Sequence, residues 1–304
     1  MYFAKRLAFA LPLLLLISLL AFVLVRHVPG GPFDRERAPA SPEIEQQIRA
    51  KYHLDEPVVK QYLRFLGNLA RGDLGPSLKY RNHSVNDIIR QALPVSMTLG
   101  LLAFGFTMGV GLPLGFITAA SQGGWQDYTG SFIALLMVCV PGFIVAPLLV
   151  MLFAVKWQLL PVALWGSPMH AILPTVALGL FFAGKIARLL REGMLNVMQA
   201  EFIVAARAKG LSEPAIMLKH AFRLGVLPVV SYTGPLLADL LTGSFVIENV
   251  FQIPGLGAFF VNGALNSDYT LVVGLVMLYA ALLIGLNLLV DLAYMLLDPR
   301  IKYE

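Results

Sequence analysis

Long runs without charge constrain this chain before anything else does. About 20 mainly apolar residues, at 1.5 Å each, cross the roughly 30 Å hydrocarbon core of a bilayer. Such runs lie at Leu7 to Val25, about Val95 to Ala120, Thr129 to Val155, Ala171 to Leu190, Val226 to Ile247 and Leu271 to Leu297. Only 13% of the 304 residues are charged, against about 25% in a soluble domain. The chain therefore lacks the polar surface a soluble protein needs, and the reading is an all-α integral membrane fold with six transmembrane helices. A single cysteine, Cys139, excludes an internal disulfide, and the five scattered His carry no metal-ligand spacing.

The first run could be a secretory signal. Its 19 apolar residues exceed the usual length of a signal core and no small-x-small cleavage site follows, so it reads as an uncleaved span. From Pro29 to about Leu93 the composition shifts to ten Lys/Arg and eight Asp/Glu. Three short amphipathic helices are expected there. One is in SPEIEQQIRAKY, with Ile44, Ile48 and Tyr52 on one face. One runs to Gly72, with Val59, Tyr62, Leu63, Leu66 and Leu69 as its stripe. One is opened by a capping box of Ser84 and Asp87. The expected division is a first helix over 1–28, a helical insert over 29–93, and a five-helix core over 94–300 that contains a large loop at 191–225. Gly105 with Gly109, and Gly111 with Gly115, are GxxxG pairs, which either allow close helix approach or reflect the general abundance of glycine in membrane helices.

Lys and Arg in short loops set orientation. Lys185, Arg188, Arg191, Arg207, Lys209, Lys219 and Arg223 cluster around the fourth loop, and Lys5, Arg6, Arg300 and Lys302 flank the termini. Both termini and that loop are expected on the cytoplasmic side, with the insert outside. The net charge of +5 follows from this placement and needs no nucleic-acid partner.

Motifs for chemistry within the chain are weak. GLFFAGKI, Gly179 to Ile186, superficially matches a phosphate loop, but Ile186 stands where Mg²⁺ needs Ser or Thr and no strand precedes it. Lys185 reads as a snorkelling interfacial residue. Asp239 lies in the fifth run; facing lipid it would cost roughly 2.5–3.5 kcal/mol. It is expected to line a path for cationic peptide groups or to make a structural hydrogen bond. Asp291 reads as interfacial, and an Asp239/Asp291 carboxylate pair in an intramembrane enzyme has no supporting constellation.

The loop MQAEFIVAARAKGLSEPAIMLKHAFRLGVLP reads as two short basic amphipathic helices broken at Gly210, with Ser212 and Pro214 opening the second and Pro228 the next span. Such helices lie on a membrane surface or press an apolar knob into a soluble partner. AARAKG followed by KHAFRLGVLP resembles the EAA coupling loop of ABC importer permeases, with Val204 where the general motif has Glu. YHLDEPVVKQY, GDLGPS, SFVIENVFQIPGLGAFFVNGALNSDY and the terminal DPRIKY extend the likeness. Together they are similar to the B-type permease subunits of oligopeptide ABC importers.

That resemblance implies a type I importer permease fold in the bacterial inner membrane, with an oligopeptide as cargo. The implied partners are a second permease, two ATPases that bind the ATP and Mg (no cofactor belonging to this chain), and an external peptide-binding protein. It also implies that Ala205, Ala206, Arg207, Lys209, Gly210, Leu211 and Pro228 couple to an ATPase. The turn residues Pro254, Gly255 and Gly257 suit either a re-entrant hairpin or, by the resemblance, contact at the outer mouth. Dipeptides, nickel, glutathione or oligosaccharides remain alternative cargoes. A different class, an ion-coupled secondary transporter using Asp239, would need no coupling loop.

Overall fold

In the computed structural model, residues 2–27, 55–80 and 82–297 are described; the side chains of 2–8, 26–27 and 291–297 are not. The expected helix at 41–52, and Arg300, Lys302 and DPRIKY, lie outside the described residues. The helices are α1 (Tyr2–His27), α2 (Val58–Leu69), α3 (Val85–Ala120), α4 (Trp125–Cys139), α5 (Gly142–Leu149), α6 (Pro168–Met198), α7 (Glu201–Ala208), α8 (Glu213–Ile216), α9 (Phe222–Gly225), α10 (Leu227–Leu241), α11 (Phe245–Val250), α12 (Leu256–Leu265) and α13 (Tyr269–Leu297). π-helical turns at Val150–Lys156 and Met217–Ala221 extend α5 and join α8 to α9.

Among the described residues, four segments are long and apolar enough to cross a membrane: α3, α6, Leu227–Val250, and Tyr269–Val290 of α13. A fifth is the pair Trp125–Cys139 and Gly142–Lys156, bent by 100°. With α1, whose described apolar part is Phe9–Val25, the apolar segments follow the expected order. Two of them are not the straight helices the composition implied. The third breaks at Val140, whose backbone is extended, the conformation that the following Pro141 favours. The fifth breaks after α10, where Gly243 takes φ +90°.

The chain forms two compact units. In the first, residues 1–95 and 255–284, the stripe of α2 lies on α1. Phe22 stacks edge-on to Tyr62 at 5.2 Å and Ser18 hydrogen-bonds the Tyr62 hydroxyl at 2.8 Å. The seam comprises Tyr62, Phe65, Leu66 and Leu69, while Val59 and Leu63 of the expected stripe point out. The capping box forms as expected: Ser84 N–H donates to Asp87 Oδ2 at 3.0 Å and Asp87 N–H to Ser84 Oγ at 3.1 Å. The helix it opens does not stop, because Val85 to Ala120 is continuous and the third amphipathic helix is the first part of the second span. Val85, Ile88, Ala92, Leu256, Leu271 and Leu275 make the core of this unit.

The second unit, residues 96–254 and 285–304, is built around α6. Gly111 and Gly115 of α3 meet α6 at Ala183 and Ala187, and Gly184 of α6 meets α4 at Ala134. Ile186, Leu190 and Met194 are fully buried between their neighbours.

Candidate functional site

The segment after α6 holds itself together. α7 turns one buried edge, Ile203 and Ala206, onto Ile216 of α8, with Val197 and Met198 of α6 behind them. Between the helices Gly210 takes φ +80°, and its N–H donates to Arg207 O while Leu211 N–H donates to Ala206 O. That left-handed residue ends α7 in the manner glycine is suited for. Arg207 closes the turn with a two-pronged bond to Glu213, at 2.6 and 3.2 Å. The hydrogen bonds from Arg207 hold the Glu213 carboxyl below its usual range. A lowered folded-state value means this contribution is complete above the ordinary carboxylate range and lost as pH falls through the folded value.

Ala206, expected from the resemblance among the ATPase-coupling residues, packs inside the segment. Arg207 is engaged with Glu213. The exposed apolar groups are Phe202, Val204, Leu211 and Leu218, of which Val204 and Leu218 are 60% exposed. Ala205 and Lys209 are exposed beside them, and Pro228 sits in the first turn of α10.

Two glycines that sequence reading passed over bind this segment to α6. A methyl at Gly193 would collide with the Gly225 carbonyl oxygen, and one at Gly225 would lie 2.7–2.8 Å from Met194. The Gly-Gly contact lets α9 approach the α6 main chain directly.

Asp239 sits in the last turn of α10, just before the Gly243 break, and is exposed within the chain. It lines a cavity of about 380 Å³ with Gly142 and Phe143 of α5, Phe181 and Phe182 of α6, and Ser244 and Ile247. The phosphate-loop lookalike is the middle of α6, and Lys185 Nζ stands 4.1 Å above the Tyr232 ring. Lys185 is therefore held against an aromatic face of α10.

The buried carboxylates are elsewhere. Asp127 receives both arms of Arg191, at 2.7 and 2.8 Å, plus Gly123 N–H and Ser131 Oγ. Glu248 accepts from Ser96 Oγ at 2.7 Å beside Gly243, where a side chain would strike the carboxylate. Asp268 accepts from Ser77 Oγ and Lys79 N–H and caps α13 through Leu271 N–H. GDLGPS and NSDY, apart in sequence, meet in that last cluster. Pro254 is the last residue of the 96–254 stretch of the second unit, and Gly255 caps α12, whose first turn contains Gly257.

Described residues that form a helical, multi-pass chain, with the long loop after α6 packed as a knob against that central span, fit the class of transport permeases. Residues 111–303 match the family described as binding-protein-dependent transport system inner membrane component, and the chain belongs to it. Over 301 residues it is 46% identical to the oligopeptide transport system permease protein OppB of Haemophilus influenzae, covering 98% of both chains. The Escherichia coli K12 OppB is 44% identical over 304 residues, 99% of each chain. The dipeptide transport system permease protein DppB of Bacillus subtilis is 43% identical, covering 99% of this chain and 97% of that one. Among solved structures, an inward-facing MetNI methionine ABC transporter chain aligns with TM-score 0.58 at 18% identity, over 69% of this chain and 96% of that one. That likeness is one of fold.

Proposed function

We propose that this chain is one permease subunit of an ATP-driven ABC importer for oligopeptides, with both termini in the cytoplasm and 29–93 as an external insert. A second permease completes the pathway, two ATPases bind the ATP and Mg, and an external binding protein delivers the peptide. The self-packed segment from Glu201 to Arg223 carries this reading. It offers Phe202, Val204, Ala205, Lys209 and Leu211 to an ATPase cleft while Ile203, Ala206 and Ile216 keep it rigid. A packed joint of this kind moves as a body between discrete arrangements, and the Gly193–Gly225 contact hands that motion to α6 and α10. Ala206 then acts by packing, and Arg207 by shaping the Gly210 turn.

Asp239 is the pathway residue in this reading. Its carboxylate, set among aromatic groups, favours a peptide's ammonium terminus or basic side chains. Pro254, Gly255 and Gly257 serve the outer mouth. The 43% identity to a dipeptide permease makes dipeptides the second cargo reading.

The complex, purified with its ATPases and reconstituted with peptide-loaded binding protein, tests the coupling assignment. Gly210→Pro is expected to insert and assemble normally yet hydrolyse ATP without peptide uptake; normal uptake by that variant sinks it. Asp239→Asn is expected to slow cationic peptides more than neutral ones, and unchanged relative rates refute the pathway role.

A further inference from the structure

The end of α6 that leads into the coupling segment carries a second concavity, of about 440 Å³, lined by Gln122, Ser131, Arg188, Arg191, Glu192, Leu195, Asn196 and Gln199. Its charges are unevenly spent. Arg191 is neutralised by buried Asp127 and forms a fixed wall. Arg188 and Glu192, four residues apart on the same face, are the right spacing for an internal ion pair, yet they make none. Among the described residues the side chains of Arg188, Glu192, Gln122, Asn196 and Gln199 have no hydrogen-bond or ionic partner.

One unspent cation and one unspent anion, about 6 Å apart along the helix axis, leave the pocket neutral as a whole but polarised along α6. A simple anion or cation would satisfy one charge and leave the other facing it unmatched. A molecule carrying both charges satisfies the two together. The amides of Gln122, Asn196 and Gln199 add donors and acceptors that suit peptide bonds.

We propose that this pocket is a zwitterion site, in which Arg188 takes an anionic group and Glu192 an ammonium, with the three amides along the body of the ligand. A short unblocked peptide has this chemistry, as does a phosphatidylethanolamine headgroup. The choice of peptide rests on the importer reading. The site lies on a different part of α6 from the Asp239 cavity and beside the segment assigned to coupling, so its occupancy is placed to act on the permease after transport.

The test uses the whole complex in phosphatidylcholine/phosphatidylglycerol nanodiscs, with Leu195→Cys, a lining position with no assigned ligand contact, as a reporter in a Cys139→Ser background. Trialanine at millimolar concentration is expected to slow maleimide labelling several-fold, and N-acetyl-trialanine amide to leave it unchanged. Arg188→Gln and Glu192→Gln should each abolish the protection. Protection by phosphatidylethanolamine nanodiscs, with trialanine adding nothing, supports the site and assigns it to the headgroup. Labelling slowed by neither, slowed equally by the blocked peptide, or still protected in both variants overturns it. A complex that imports peptide without protection loses this inference alone, whereas protection without ATP-driven uptake leaves it standing and removes the importer reading.

Discussion

Gly105 and Gly109 stand four residues apart on α3, as do Gly111 and Gly115. A methyl at either of the first pair would meet nothing within 4 Å, whereas at the second pair it would lie 2.8 and 2.5 Å from α6 carbonyl oxygens. The six-residue offset between Gly105 and Gly111 turns the helix so that the two pairs point about 120° apart. One spacing pattern therefore describes two regions of α3: one closes a helix crossing within the chain and the other leaves an open groove. Spacing identifies a small face, and only the neighbouring helix says what it is for.

The contrast can be broken most severely at the closed end. Gly115→Leu forces a branched side chain into the Ala187 and Leu190 contact and is expected to destabilise the folded permease by about 3 kcal/mol or more, read as loss of the protein from membranes and a lower unfolding midpoint in detergent. Gly193→Ala places a methyl against the Gly225 carbonyl; a loss of about 1–3 kcal/mol is expected, with the 201–223 segment becoming protease-sensitive before the spans do. Gly210→Ala meets open space, so its effect comes from the left-handed backbone alone, about 1–2 kcal/mol. Its signature is reduced uptake per ATP with unchanged membrane level. Gly105→Ala should leave the unfolding midpoint unchanged or raise it, by about 0.5–1 kcal/mol of helix preference at most. A large loss at Gly105 would show that the open groove is filled in the assembled transporter.

The spans, the capping box of Ser84 and Asp87, and the Gly210 turn were legible because each is written in adjacent residues: a run of apolar groups, a three-residue offset, a glycine where a helix must stop. The bends were less so. Pro141 and Gly243 were visible, but hydropathy averages across a break and read each span as straight. The carboxylate clusters were hidden for another reason. Asp127 with Arg191, and Asp268 with Ser77, are pairs 64 and 191 residues apart, and no period or composition joins them. Sequence instead drew attention to Asp239 because it interrupts an apolar run, and within the chain that acid is exposed. In the segment that resembles the coupling motif, Ala206 packs inward and Glu213, absent from the expected set, partners Arg207.

The Asp268 cluster has a consequence for how the protein is made. The turn that presents Ser77 and Lys79, and the face of Val85 and Ile88, are completed by residues the ribosome delivers some 191 positions later. At roughly 5–20 residues per second the first unit waits on the order of 10–40 s with its polar turn uncapped and its apolar face uncovered. A nascent chain in that interval is open to capture by the insertion machinery, to mispairing with its own middle spans, or to proteolysis. Slow translation ahead of Asp268 is expected to lower yield through lost quality during synthesis, with no change in the finished molecule's stability.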